Sequence, residues 1–390
     1  MFNIKQYIAI ATIATIGLSA CDAPVDNSQI QIDSVSDSGN QMQEYKIGVI
    51  LSLTGDAGAF GVETQRVLDY EIEKINQQYK DKNVQFKLIY EDGQCDGARA
   101  VDALNKLTDF DNVDFILGGL CSSESLGIAP LLESKNVVAL SGWSSNPELE
   151  GASENFFSLS YSDNGVAFGI SDYMSNFETA ALISEQNDYN AAIQKIVLEQ
   201  LKEDGVEIVA DEEFPKGSTD LRNIISKVKS QNPDVVLLNP NPGITTESLA
   251  KQIKETGDWD TNFVTQYAWN TETVLNETSD YFEGKLVQID APNLSSPELK
   301  SYMDDIIATK GELTNLGAYY TASSLDALNI MTKLIAENDA NVEAVKNALN
   351  TQTFSGWITD KIEFNGNTFV QNVGTASYEI VNNEMKLIES

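Results

Sequence analysis

One short stretch of the sequence combines a cysteine with two serines, residue types that could carry out covalent chemistry or bind a metal. The stretch "GGLCSSES" (118–125) follows an apolar run and places Cys121 directly before Ser122 and Ser123. A cysteine in this setting can be a nucleophile, a metal ligand or half of a disulfide. The other two cysteines are Cys21 and Cys95.

The sequence contains no histidine, which limits what Cys121 can do. Histidine is the commonest general base and the commonest zinc ligand. The glycine-rich stretch "SLTGDAGAFG" (52–61) matches neither a dinucleotide loop nor a Walker A loop, and there is no GxSxG motif. Ser226 and Lys229 form an isolated S-x-x-K without its companion motifs. We therefore expect no catalytic residue, no metal site and no cofactor.

Length and charge restrict the class of partner. The chain has 390 residues, enough for two domains, and 25 Lys+Arg against 59 Asp+Glu give a net charge of −34. Such a chain repels nucleic acid and acidic membrane surfaces. We expect no nucleic-acid partner.

The amino-terminal residues are typical of an exported lipoprotein. An apolar run of residues 7–17 is too short to span a bilayer, and "LSAC" (18–21) resembles the bacterial lipobox. We expect residues 1–20 to be a signal peptide and Cys21 to carry two acyl chains that anchor the protein to the membrane. Asp22 resembles the inner-membrane retention signal of enteric-type bacteria. Residues 21–44 then form a polar tether; an ordinary signal peptide with a chance cysteine is the alternative.

The body of the chain alternates strand and helix patterns. Apolar runs predict strands, and residues with helical periodicity follow most of them, which indicates parallel sheets covered on both faces. The predicted strands are 46–53, 84–90, 113–117, 137–140, 180–184, 206–210, 235–238 and 262–266. The predicted helices include 96–108, 123–134, 190–204, 219–230, 246–256, 297–309, 317–337 and 342–349. A barrel is the rival arrangement, but the loosened pattern near 158–165 favours two sheets.

An ordered set of motifs identifies a family resemblance. The set resembles the type I periplasmic binding proteins, above all the leucine/isoleucine/valine-binding proteins of ABC importers, over residues 46–390. The motifs, in chain order, are "YKIGVILSLTGDAGAFG", "YEDGQCDGARAV", "GGLCSSES", "LSGWSSNPEL", "KGSTDLRNIISKVKSQNPDVVLLN" and "FNGN".

The resemblance implies an α/β fold of two Rossmann-like domains joined by a three-crossing hinge, with a ligand cleft between them. Domain I would comprise residues 46–162 plus 290–355, and domain II residues 163–289 plus 356–390. It also implies a disulfide between Cys95 and Cys121, which follow the second and third strands; two free thiols are the alternative.

The same resemblance predicts ligand contacts. Ser122 and Ser123 stand at a helix N-terminus, where free N–H groups favour a carboxylate, although simple N-capping is the alternative reading. The matching strand end "LSGWSSNPEL" gives Ser144 and Ser145, and Trp143 there replaces a small residue. Phe60 and Tyr189 are further expected contacts.

One departure from the family pattern puts a branched-chain amino acid ligand in doubt. Tyr267 stands where amino-acid binders of the family offer a carboxylate to the ligand ammonium. Either Glu185 or Asp163 then supplies the charge, or the ligand is an amide or aromatic solute.

These inferences predict a binding protein and not an enzyme. We expect it to capture an amino acid or related small polar solute by domain closure and to deliver it to an ABC permease. Its place would be the periplasmic side of the cell envelope, held to the bilayer through Cys21. A ligand-sensing receptor of the same fold is the alternative function.

Overall fold

The computed structural model describes residues 42–389 except 56, 293, 295 and 372. The predicted signal peptide, the lipid on Cys21 and nearly all of the tether lie outside the described residues. Within the described part of the chain, no helix is both long and apolar enough to span a membrane.

Strands and helices alternate as the sequence predicts. The described strands are β1 (Gln43–Leu51), β2 (Val84–Asp92), β3 (Phe115–Leu117), β4 (Val138–Ser141), β5 (Phe156–Ser158), β6 (Thr179–Gln186), β7 (Glu207–Pro215), β8 (Val235–Asn239), β9 (Asn262–Thr265), β10 (Leu286–Asp290), β11 (Ala376–Val381) and β12 (Glu384–Glu389). The described α-helices are α1 (Gly58–Tyr79), α2 (Gly97–Asp109), α3 (Ser122–Lys135), α4 (Asp163–Met174), α5 (Asp188–Asp204), α6 (Arg222–Lys229), α7 (Ile244–Glu255), α8 (Glu272–Phe282), α9 (Pro297–Lys310), α10 (Ala318–Glu337) and α11 (Val342–Thr351). Short 3₁₀ helices occur at Lys80–Lys82, Pro147–Leu149 and Tyr267–Trp269.

The strands form two separate sheets. The first has the order β2-β1-β3-β4-β5 and is parallel throughout, and the second has the order β12-β11-β10-β9-β8-β6-β7. In the second sheet only β11 runs antiparallel to its neighbours β10 and β12, and all the other pairs are parallel. We call the units built on the two sheets the first and second lobes. The predicted α/β fold with two Rossmann-like units is confirmed.

Helix α2 illustrates why these segments fold as they do. Its side chains at Ala100, Ala103, Leu104 and Leu107 repeat at helical spacing and are buried against the first sheet. Each buried leucine contributes about 1.5–3 kcal/mol. The Asp96 carboxylate accepts a hydrogen bond from the Arg99 N–H and caps the helix, which adds about 1 kcal/mol.

The chain passes between the lobes more than once. It enters the second sheet after β5 and returns to the first lobe after β10, where α9 and α10 pack against α1 and α11 packs against α10 and β4. Thr368 and Val370 still exchange backbone hydrogen bonds with Ser158 of the first sheet.

The predicted domain boundaries stay predictions. Beyond the third predicted boundary, placed at 355/356, the Val370 N–H still donates to the Ser158 carbonyl of β5, and β11 pairs with β10 of the second sheet from Ala376 onward.

The sequence patterns predict eight of these strands but not all of them. Strands β5 and β10 and helices α4 and α8 were not predicted. In α4 the buried Val166, Ile170 and Met174 stand four residues apart, which is a helical signal. The intervening glycines and polar residues hide it in a count of apolar positions.

Candidate ligand-binding site

A cavity of about 640 Å³, including its open mouth, lies at the carboxyl ends of strands from both sheets. Ligands of open parallel sheets bind in this place, because the loops after the strands converge there. The first lobe contributes Ala57, Phe60, Cys95, Leu120, Cys121, Ser122, Ser123, Trp143, Ser145 and Tyr320, and the second contributes Asn187, Tyr189, Asn241, Pro242 and Tyr267. We call this cavity the cleft.

A disulfide and a buried acid organise the first-lobe wall. Cys95 and Cys121 are bonded, as predicted, with Cα atoms 5.2 Å apart. Closing the intervening loop, for a sequence separation of 26, stabilises the fold by about 3 kcal/mol. The Glu124 carboxylate accepts hydrogen bonds from Ser52 Oγ (2.9 Å), Cys95 N (3.0 Å) and Cys121 N (2.9 Å). Three loops distant in sequence are thereby joined at one carboxylate.

Two glycines permit this packing. A Cβ at Gly61 would lie 1.8 Å from the Ser52 carbonyl oxygen, and one at Gly119 would lie 2.4 Å from the Glu124 Cβ. Both distances are far inside van der Waals contact. The glycine-rich loop predicted at 52–61 therefore serves close backbone approach beside the cleft.

Ser122 and Ser123 begin helix α3, and the two hydroxyls differ in their surroundings. Ser122 Oγ is buried and accepts hydrogen bonds from the N–H groups of Ser145 (3.4 Å) and Asn146 (3.2 Å). Ser123 also lines the cleft and is only half-buried. The first N–H groups of a helix have no carbonyl partner within it and carry partial positive charge. This end of the cleft therefore suits an anionic group.

The loop after β4 supplies a second part of the same wall. Ser145 and Trp143 line the cleft, and Trp143 Nε1 donates to Ser324 Oγ (3.0 Å). Ser144 does not line it. Its hydroxyl bonds Ser125 Oγ (2.7 Å) and the Gly119 carbonyl (3.0 Å) behind the wall.

Tyr267 is the centre of an aromatic group that spans the cleft. Its ring centroid lies 6.2 Å from that of Phe60, 5.7 Å from that of Tyr189 and 5.5 Å from that of Tyr320. Phe60 and Tyr320 belong to the first lobe, whereas Tyr189 and Tyr267 belong to the second. The structure thus brings the predicted Phe60, Tyr189 and Tyr267 together, edge to face.

Asp163 is a buried carboxyl group beside these tyrosines. It is fully buried, and neither oxygen has a hydrogen-bond partner of acceptable geometry. Burial raises the pKa of Asp163 to about 8, and the neighbouring Ser145 hydroxyl lowers it only in part. Burial and then the charge of Asp163 raise the pKa of Tyr189 well above its ordinary value. The carboxyl is therefore mostly protonated at neutral pH.

Glu185, the other predicted charge, is engaged elsewhere. Its oxygens accept hydrogen bonds from the N–H groups of Gly217 (2.9 Å) and Asn241 (2.7 Å), and it does not line the cleft. Its carboxylate fixes two loops of the second lobe.

Several lining residues were not predicted as contacts. Tyr320 lies within a predicted helix, but nothing in its local pattern distinguishes it from a core tyrosine. Asn187 could have been found, because it caps α5 just before the predicted Tyr189. Asn241 and Pro242 follow β8 at the edge where other strand ends meet.

The two lobes contact each other at the mouth of the cleft. Lys216 Nζ, after β7, donates to the Cys95 carbonyl (2.9 Å) on the disulfide loop. Asn146 Nδ2 of the first lobe donates to the Asp188 carbonyl (2.8 Å) at the start of α5.

The chemistry of the cleft is that of recognition. None of its described lining residues is charged, and its polar groups are hydroxyls, amides and backbone N–H groups. Its cysteines are joined in the disulfide and its serines have no histidine beside them. Within the described residues, no group of three potential ligands could hold a metal ion.

Similar proteins of known sequence are solute-binding proteins. The chain is 23% identical over 317 residues to a leucine-, isoleucine-, valine-, threonine- and alanine-binding protein of Pseudomonas aeruginosa, covering 79% of this chain and 83% of that one. It is 26% identical over 227 residues to an amino acid binding protein of the same organism, covering 56% of this chain and 60% of the relative's length. The relatives are binding proteins and not enzymes, as predicted.

Solved structures share the fold. A branched-chain amino acid binding protein of Streptococcus pneumoniae, solved with isoleucine, has a TM-score of 0.75 at 20% identity and covers 89% of this chain and 100% of its own. A solute-binding protein of Rhodopseudomonas palustris, solved with 3,4-dihydroxybenzoic acid, has a TM-score of 0.76 at 16% identity, with 89% and 96% covered. The family model described as periplasmic binding protein matches residues 44–380. The chain therefore belongs to the periplasmic binding proteins, and it shares the fold of their type I members.

Proposed function

We propose that this protein captures an amino acid, or a closely related small polar solute, in the cleft and delivers it to an ABC permease. One observation carries the proposal. The start of α3 lines the cleft and offers a place for an anion, and the buried Asp163 carboxyl group, which does not itself line the cleft, lies beside its lining residues Ser145 and Tyr189 and offers a place for a cation.

The carboxylate of the solute would lie at the start of α3. Backbone N–H groups and the Ser123 hydroxyl can donate to it there without any basic side chain. Ser122 would act mainly by positioning the Ser145 loop, because its oxygen already accepts two backbone N–H groups.

The ammonium of the solute would pair with Asp163. A buried ionised carboxylate without a partner is costly, and an opposite charge within a few ångströms favours ionisation. A bound ammonium would therefore shift Asp163 from its protonated form to its charged form. Glu185 is the weaker candidate, because two backbone N–H groups already hold its oxygens.

The side chain of the solute would lie among the aromatic rings. Phe60, Trp143, Tyr189 and Tyr267 form an apolar lining from both lobes, so ligand burial requires the lobes to come together. The same rings favour the second candidate, an amide or aromatic solute without an ammonium group. Delivery to a regulatory partner instead of a permease would use the same cleft, and uptake of labelled solute by cells with and without the protein separates these roles.

We also propose that Cys21 carries the lipid that holds the protein on the periplasmic side of the membrane. The support is the lipobox resemblance of residues 18–21 together with the extracytoplasmic location that the family implies.

Native mass spectrometry of the soluble form, residues 22–390, tests the ligand class. We expect gently purified protein to carry a mass that denaturation releases as an amino acid. Release of an amide or an aromatic acid instead would contradict the ammonium pairing and favour the second candidate. If the protein is purified empty, a thermal-shift panel of both solute classes makes the same distinction.

Asp163→Asn tests the ammonium partner through pH. As the pH increases toward 8, the affinity of the wild-type protein for the identified amino acid should increase by up to about tenfold per pH unit, because Asp163 must lose its proton when the ammonium binds. The variant should bind much more weakly and lose this slope. A slope that persists in the variant would assign the ammonium to another carboxyl group.

The same variant has an expected effect on stability. Because the folded pKa of Asp163 lies above its unfolded value, the folded state holds the proton more tightly, and stability falls as pH rises from about 4 through 8. Asp163→Asn should therefore raise the Tm of the ligand-free protein at pH 9 by at least about 2 °C. A lower Tm would mean that Asp163 stabilises the fold.

Ser123→Ala and Ser122→Ala form a matched pair. Ser123→Ala should weaken solute binding about tenfold and leave the Tm of the ligand-free protein unchanged, since it removes one donor to a carboxylate. Ser122→Ala should lower the Tm, because it leaves two buried N–H groups without their acceptor. Isothermal titration calorimetry and thermal unfolding measure both; equal effects of the two substitutions would contradict the assignment.

Detergent phase partition tests the anchor. The full-length chain expressed in a lipoprotein-processing host should enter the detergent phase, whereas Cys21→Ser should remain in the aqueous phase. Identical partition of the two forms would disprove acylation at Cys21.

A further inference from the structure

A second cavity shares one lining residue, Tyr320, with the cleft. It encloses about 590 Å³, including its open mouth, and we call it the hinge pocket. It lies where the chain leaves β10 for the first lobe, beside the start of α10 and the β11–β12 hairpin. Its described lining residues are Asn270, Gln288, Asp290, Ala291, Pro292, Leu294, Gly317, Ala318, Tyr319, Tyr320, Tyr378 and Met385.

A buried amide oxygen without a partner points to a ligand. Gln288 is 1% exposed, and its Oε1 accepts no hydrogen bond. Its Nε2 donates to Asp290 Oδ2 (3.0 Å), which fixes the amide orientation, because the reversed amide would place oxygen against a carboxylate. A donor within the hinge pocket would satisfy Oε1.

Asp290 adds negative charge to the same wall. Its Oδ1 accepts hydrogen bonds from Ala291 N (2.6 Å) and Tyr161 Oη (3.2 Å), and no described lining residue is basic. Burial raises the pKa of Asp290 to about 7, although these donors and Gln288 lower it in part. The wall formed by Asp290 and Gln288 therefore favours a cationic donor.

The opposite wall combines aromatic rings with a helix N-terminus. The Tyr319 and Tyr320 rings are perpendicular, with centroids 5.6 Å apart, and ring faces attract cations. Helix α10 begins beside them, and its N-cap Gly317 provides no side-chain cap. Its first N–H groups can donate to an acceptor on the ligand.

We propose that the hinge pocket binds a small primary ammonium compound that carries an oxygen acceptor a few bonds from its nitrogen, such as an amino alcohol. The ammonium lies between Gln288 Oε1, the Asp290 carboxylate and the tyrosine faces. The oxygen lies at the start of α10. Both chemical groups are needed, because the two walls have opposite polarity.

Occupancy of the hinge pocket is coupled to the cleft through Tyr320, which lines both cavities. Its ring lies 5.5 Å from that of Tyr267 in the cleft. The pocket also combines β10 of the second lobe with α10 of the first, so a bound molecule favours the arrangement of lobes that forms it. The proposal of this coupling rests on the proposed function of the cleft. The proposal of the hinge pocket as a binding site does not.

Titration calorimetry with ethanolamine tests the site in a Tyr189→Ala background, which impairs the cleft and leaves the hinge pocket intact. We expect saturable binding, about fivefold weaker for ethylammonium, which lacks the oxygen. Gln288→Leu should weaken ethanolamine binding at least about tenfold. Gln288→Glu should strengthen it at pH 8, because a second carboxylate replaces the amide. Gln231→Leu, at an exposed glutamine in the second lobe, is the matched control.

Three results would overturn the proposal. They are no saturable binding up to about 50 mM, equal binding in Gln288→Leu and Gln231→Leu, or weaker binding in Gln288→Glu than in the parent. If Gln288→Leu does not fold, the Gln288→Glu and ethylammonium comparisons still decide. Because the Tyr189→Ala parent lacks the cleft contact, failure here leaves the proposed function standing.

Discussion

Burial of the Asp163 carboxyl group without a partner is the constraint on which this binding protein depends. An isolated carboxylate loses its hydration when buried, and the side chain responds by holding its proton to about pH 8. A purely structural site would gain from an asparagine or an apolar residue there. Under the proposed function, this acid is held for a cationic solute at the expense of stability in the empty protein.

The rest of the architecture makes that arrangement possible. The parallel strands of the two sheets direct their carboxyl ends toward one cleft, so side chains far apart in sequence meet without long loops. The disulfide and the Glu124 carboxylate hold the wall opposite the second lobe, where α3 presents its N-terminus. The donors at the start of α3 belong to the first lobe, whereas the aromatic rings of the cleft come from both lobes.

Sequence reasoning recovered the fold and about half of the cleft. Strand–helix periodicity is a local signal, so the alternation of strands and helices could be predicted, whereas the Cys95–Cys121 bridge was implied by the family resemblance. The direction in which a single side chain points depends on contacts with residues distant in sequence, and local patterns do not predict it. Ser144 turns behind the wall because Ser125 and the Gly119 carbonyl take its hydroxyl, and Glu185 is held by backbone N–H groups from two distant loops. The position of Tyr320 in the cleft could not be predicted, because it lies beside Tyr267 only through the folding of the chain back to the first lobe.

The hydrogen bonds at the mouth of the cleft bear on how fast a solute can leave. Lys216 and Asn146 link the lobes outside the cavity, so a bound molecule escapes only after both bonds break. The dissociation rate is then limited by lobe opening, whatever the strength of the contacts inside. Residence time and equilibrium affinity can therefore vary independently in this protein. A partner that broke both bonds by binding Lys216 and Asn146 could release the solute without contacting a side chain that lines the cleft.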